Sequence, residues 1–160
     1  NAKIAGNYVN SCFAMRDAED EGCDEAILPD REGYVAEASV ENVFAIKNKI
    51  FFTPPLGAIL PGITRDTVIT LASDQGFEVR ELLFNAQFLK EADEVFLSGT
   101  AMEILPVGEI DGIPVGNGGQ GEITAQVARV YKDVVEGRVE RYLHWLTFVH
   151  WKKEESRASR

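Results

Sequence analysis

Tyr34-Val35-Ala36-Glu37-Ala38-Ser39-Val40-Glu41-Asn42-Val43-Phe44-Ala45-Ile46-Lys47-Asn48-Lys49-Ile50-Phe51-Phe52 is the stretch on which the reading of the fold turns. Residues 34–39 alternate as an extended segment does. Residues 43–46 and 50–52 are short apolar runs rich in β-branched and aromatic side chains, and Asn48 between them tolerates a tight turn, so the two runs form a hairpin. In an extended strand Glu37, Ser39 and Glu41 point to one face.

Upstream, residues 6–21 carry Tyr8, Val9, Cys12, Phe13 and Met15 at roughly helical spacing, and Gly22 ends the pattern. Residues 25–28 read as a short strand, followed by a turn at Asp30-Arg31-Glu32-Gly33. Downstream, Pro54-Pro55 breaks the pairing and a loop leads to a helix capped by Thr64, with Asp66 in its first turn and Gly76 closing it. Strands are expected over 77–82, 94–98 and 104–107, and a short helix over 85–91. Asp111-Gly112 makes a second hairpin turn, and glycine-rich residues 116–121 precede a long helix over about 122–146. Strands and helices mingle from end to end, so the expected fold class is α/β, a mixed α and β domain. It spans 1–150, with a polar tail over 151–160.

With 160 residues, 45% hydrophobic and 26% charged, the chain suits one globular domain. Its 16 basic and 26 acidic residues leave a net charge of −10, which repels phosphate backbones and anionic lipid. No nucleic-acid or membrane partner is expected, and no apolar run approaches the length of a membrane span. Cys12 and Cys23 make no disulfide framework; they read as small buried apolar groups in a reducing cytoplasm. His144 and His150 lack the spacing of helical metal ligands, so no metal site is expected.

Several segments admit a chemical reading beside a structural one. Lys3 by itself is a solvated charge. Glu37 and Glu41 are either a solvent face or a carboxylate turned to a cationic ring nitrogen. The loop Leu60-Pro61-Gly62-Ile63-Thr64-Arg65-Asp66 enters a helix, whose first N–H groups and Thr64 hydroxyl form either an ordinary cap or an anion site. In Ser98-Gly99-Thr100-Ala101 the glycine permits close backbone approach to a ligand. Gly116 to Gly121 lacks the lysine and hydroxyl of a nucleotide phosphate loop and reads as a flexible connection.

Taken in order, the motifs resemble the branched-chain aminotransferase family, the class-IV aminotransferases of pyridoxal-phosphate fold type IV. The motifs are Lys3-x-x-Gly6-Asn7-Tyr8, Asp24-Glu25-Ala26-Ile27-Leu28, Gly33-Tyr34-Val35-Ala36-Glu37-x-x-x-Glu41-Asn42-Val43-Phe44, Thr53-Pro54-Pro55, Leu60-Pro61-Gly62-Ile63-Thr64-Arg65-Asp66 and Asp93-Glu94-Val95-Phe96-x-Ser98-Gly99-Thr100-Ala101-x-Glu103-Ile104. The resemblance runs to about residue 146 and implies the C-terminal, cofactor-binding domain of such an enzyme. It implies pyridoxal 5′-phosphate as cofactor, with Lys3 holding it as a Schiff base and acting as acid–base catalyst. Tyr8 would hydrogen-bond the phenolic oxygen and Glu37 would pair with the pyridine nitrogen. Ile63, Thr64 and Thr100 would hold the phosphate, and Thr100-Ala101 would seat the substrate carboxylate. Ala36 and Ala38 stand where serine and glycine are commoner, and Val40 where glycine is usual, which bears on local packing.

The implied reaction moves the amino group of leucine, isoleucine or valine to 2-oxoglutarate, in a cytoplasmic homo-oligomer, a dimer or higher. A smaller N-terminal domain, carrying a phosphate-binding arginine and much of the substrate pocket, is expected to lie outside this chain. Two other readings remain open. One is a different class-IV reaction, by a D-amino-acid or amine transaminase or an aminodeoxychorismate lyase. The other is an inactive fragment serving as an interaction module.

Overall fold

In the computed structural model, residues 3–149 are described. A 3-10 turn, Ala5–Tyr8, leads into helix α1, Val9–Asp20. Then come strands β1 (Ile27–Pro29), β2 (Val35–Ala38), β3 (Asn42–Lys47) and β4 (Ile50–Thr53), helix α2 (Ile63–Asp74), β5 (Glu78–Glu81) and helix α3 (Ala86–Lys90). Strands β6 (Glu94–Gly99), β7 (Glu103–Val107), β8 (Glu109–Ile110) and β9 (Ile113–Pro114) precede helix α4 (Glu122–Val135) and a 3-10 helix, Glu140–Trp145.

Strand β3 organises the sheet. It pairs antiparallel with β4 through Ala45–Lys47, with β6 along Asn42–Ile46, and with β2 at Glu37 opposite Asn42. Strands β4 and β5 run parallel, joined by α2 as a crossover. The β3–β4 turn has positive φ at both Asn48 (52°) and Lys49 (64°), the conformation a two-residue hairpin requires. Asp111 and Gly112 do the same between β8 and β9.

Because successive strand residues point to opposite faces, β3 feeds two cores. Val43 and Ala45 join Val35, Phe52, Leu89, Val95 and Leu97 on one face. Phe44 and Ile46 join Phe51, Phe96, Val68 of α2 and Val127 of α4 on the other. Phe44 stacks on Phe96 with ring centroids 4.9 Å apart. Burial on both faces explains why this strand is a continuous apolar run rather than an alternating one.

Four expectations from the sequence need correction. The last helix ends at Val135, not near 146, because Gly137 turns left-handed (φ 74°) and the chain restarts as the 3-10 helix. Tyr142 of that element is buried and donates its hydroxyl to Asp74 Oδ2 at 2.5 Å. Thr64 is not the cap of α2; the N-cap is Gly62, and Thr64 lies one residue inside the helix. Cys12 and Cys23 are exposed rather than buried: α1 buries none of its residues, and Cys23 follows it in an exposed segment. Glu37 and Glu41 do not share a strand face, because Ala38 N–H donates to Glu41 O (2.8 Å) and folds the residues between into a tight turn. Residues 151–160, read as a polar tail, and His150 lie outside the described residues.

Candidate active site

Lys3 is exposed at the foot of the turn that starts α1, and its Nζ lies 5.7 Å from the centroid of the Tyr8 ring. Both line a cleft of about 670 Å³ together with Cys12, Met15, Ser39 and Val40. Glu37 opens on an adjoining cleft of about 560 Å³, lined also by Asn7, Arg31, Ala36 and Ala58; Ser11 borders both. Lys3 and Tyr8 are thus brought together, with Glu37 on the neighbouring surface.

Leu60 links Glu37 to the start of α2. Its N–H donates to Glu37 Oε2 at 2.9 Å, and its carbonyl accepts from Asn42 Nδ2 at 2.9 Å. Two residues on, Gly62 packs against Asn42 so closely that a Cβ there would collide with Asn42 Oδ1. The first backbone bond of the helix is Asp66 N–H to Gly62 O, at 3.1 Å. The amides of Ile63, Thr64 and Arg65 therefore have no intrahelical acceptor, and no side chain caps them among the described residues. Such amides, with the helix dipole behind them, suit an anion. Thr64 is buried, while Ile63 projects its side chain outward.

Arg65 is committed elsewhere: its Nη2 donates to Pro54 O at 2.9 Å and to Glu81 Oε2 at 2.6 Å. That ion pair ties the first turn of α2 to β5. Thr100 and Ala101 are exposed in the turn between β6 and β7, and neither cleft includes them, Ile63 or Thr64. Just before that turn, Ser98 is 1% exposed and its Oγ has no hydrogen-bond partner among the described residues; it faces Asn42 across β3 and β6.

Glu41 is buried beside this surface. Burial pushes its carboxyl above the usual glutamate range, and the nearby Glu25 charge pushes the same way. The Val40 N–H and the charge of Lys3 oppose the shift. Asn42 and Glu25 were present in the motifs but carried no assigned role. Their bonds span 18 residues for Asn42 to Leu60 and 14 for Ser39 to Glu25, so no local pattern marks them.

The family described as amino-transferase class IV matches residues 1–110, more than half of the chain. The chain belongs to that family. Among class IV relatives, it is 50% identical over 150 residues to a probable branched-chain-amino-acid aminotransferase of Aquifex aeolicus, covering 92% of this chain and 48% of the relative. It is 43% identical over 150 residues to the branched-chain-amino-acid aminotransferase of Escherichia coli K12, covering 93% of this chain and 48% of that one. A crystal structure of the branched-chain aminotransferase from the thermophilic archaeon Thermoproteus uzoniensis, with norvaline, superposes with a TM-score of 0.87 at 45% identity. That match covers 91% of this chain and 48% of the other. The chain spans about half the length of the curated relatives it matches.

Proposed function

We propose that this chain is the cofactor-binding domain of a pyridoxal-phosphate-dependent branched-chain aminotransferase, moving the amino group of leucine, isoleucine or valine to 2-oxoglutarate. The observation that carries the reading is the link through Leu60 between the Glu37 carboxylate and the uncapped start of α2. Pyridoxal phosphate asks for an anionic partner at its ring nitrogen and for amide donors at its phosphate, and this pair of features supplies both. Class IV membership and 43–50% identity to branched-chain enzymes support it further.

When bound, the cofactor supplies an electron sink for the pair left behind when an amino acid loses its α-proton. Residues of this chain would take several of the remaining roles. Lys3 Nζ would hold the cofactor, and its amine would carry the proton away from the substrate α-carbon. Tyr8 Oη would donate to the phenolic oxygen. Glu37, whose Oε2 accepts from Leu60 N–H, would pair with the ring nitrogen. The amides of Ile63 and Thr64, with Thr100, would hold the phosphate, and Thr100-Ala101 would receive the substrate carboxylate.

This domain spans residues 1–150 in our reading. It works in a cytoplasmic homo-oligomer, a dimer or higher, with neither nucleic acid nor membrane as partner. Its net charge of −10 fits that picture, and no described helix is long and apolar enough to cross a membrane. Turnover of leucine, D-alanine and aminodeoxychorismate by the full-length gene product, side by side, tests the function. Preference for leucine with 2-oxoglutarate is expected. Preference for either other substrate moves the protein to another class IV reaction, and inactivity on all three overturns the reading.

A further inference from the structure

Two carboxyl groups that the proposed chemistry does not use meet behind the Lys3 cleft. Glu25 and Glu41 lie side by side, bound to the amides of consecutive residues, and Glu41 is 5% exposed. Between them they hold the turn that separates β2 from β3. Glu25 Oε1 accepts from Ala26 N–H at 2.7 Å and from Ser39 N–H at 3.2 Å, and Glu41 Oε2 accepts from Val40 N–H at 3.3 Å. Ser39 and Val40 are the residues this turn presents to the Lys3 cleft. On its other side the Glu41 stem lies under β6: a Cβ at Gly99 would stand 3.2 Å from Glu41 Cγ. Gly99 is followed by Thr100-Ala101. The two acids therefore hold the turn that lines the cleft, and Glu41 also packs against the end of β6, ahead of any ligand.

An ionised carboxylate only accepts hydrogen bonds, so two carboxyls can bond to each other only if one carries a proton. The charged groups acting on Glu41 are Glu25, which favours that proton, and Lys3, which disfavours it; burial is the largest influence and favours it.

We propose that Glu41 is a positioning residue that works as a carboxylic acid, sharing one proton with Glu25 so that the bridge holds the Ser39–Val40 turn in place beside Lys3 while the Glu41 stem packs against Gly99. The link to catalysis rests on the function proposed above; the bridge itself does not. Loss of the shared proton leaves two repelling carboxylates, and the turn loses the donor that closes it. Glutamine at position 41 supplies a permanent N–H donor to Glu25 and keeps an acceptor for Val40 N–H, so it mimics the protonated acid at every pH. Alanine does neither.

The test uses the full-length gene product as wild type, E41Q and E41A. Infrared spectra of the apo-protein in heavy water near neutral pH are expected to contain the carbonyl stretch of a protonated, buried acid, absent from E41Q. Fluorescence titration with pyridoxal phosphate is expected to show wild-type affinity falling by about tenfold or more as the bridge ionises with rising pH. E41Q is expected to hold its affinity over the same range, and E41A to bind about tenfold more weakly throughout. A wild-type spectrum without the acid band, a band that survives in E41Q, or an alkaline loss in E41Q equal to that of wild type would overturn the inference. The infrared arm needs no cofactor and no alanine variant. Failure of every variant to bind pyridoxal phosphate counts against the proposed function instead, and loss of the acid band counts against the bridge.

Discussion

Glu37 and Asn42 face each other across β2 and β3 and grip the same residue, Leu60, one by its N–H and the other by its carbonyl. A tight turn in the sheet is thereby tied to the entrance of α2. A carboxylate and a set of free helix amides are held at a fixed separation before any ligand arrives, which is what preorganisation of a binding site requires.

Asn42→Ala removes the donor to Leu60 O and is expected to cost about 1 kcal/mol in urea unfolding. Gly62→Ala drives a Cβ into Asn42 Oδ1 and is expected to cost about 1–3 kcal/mol. In the double variant the obstructing oxygen is gone, so the two losses should fall short of additivity by about 1 kcal/mol. Strict additivity would mean that Gly62 and Asn42 are not in contact.

Glu37→Gln keeps an acceptor for Leu60 N–H but removes the negative charge. Stability should change by less than about 0.5 kcal/mol, while kcat for leucine falls by about a hundredfold or more. A fall in melting temperature matching the fall in activity would make Glu37 a structural residue only.

Asp74 and Glu41 should give pH dependences of opposite sign. The Asp74 carboxyl is held below its usual range, first by the Tyr142 hydroxyl and then by Arg141. A depressed value means that the folded state binds this proton less tightly, so the stabilisation is present above the unfolded value and is lost as pH falls through the folded one. Glu41 is raised, so the folded state keeps its proton longer, and stability declines as pH rises above the usual glutamate range. Melting curves over pH should therefore lose part of the acid limb in Asp74→Asn and part of the decline at higher pH in E41Q. The reverse assignment would refute both.

Phe44→Ala empties the centre of the α2-side core, where Phe44 is fully buried and stacked on Phe96. A loss of about 3–5 kcal/mol is expected in denaturant unfolding. A loss below about 1 kcal/mol would show that the stack does not hold that core together.

Much of the sheet was legible because its signals are local. Asn48 and Asp111-Gly112 announce their turns through the backbone angles they tolerate, and the unbroken run of residues 43–46 reflects a strand covered on both faces. The motifs also singled out Glu37 and the loop into α2, whose connection the structure displays. What escaped was set by tertiary partners. Thr64 has the chemistry of a cap, yet Gly62 takes that place because Asn42 leaves no room for a side chain there. Glu37 and Glu41 alternate as if on one strand, but the bond from Ala38 to Glu41 folds the chain between them. Apolar positions continue past Val135, while Gly137 and the anchoring of Tyr142 on Asp74 end the helix. The pairing of Glu25 with Glu41 depends on burial and on a separation in sequence that no spacing rule covers.

Lys3 as the residue that carries the cofactor is open to a direct chemical test. Borohydride reduction of the full-length gene product after incubation with pyridoxal phosphate, followed by peptide mass spectrometry, reads this directly. A reduced phosphopyridoxyl group is expected on Lys3, lost when leucine is added before the borohydride. A label on another lysine alone, or none on Lys3, would contradict it.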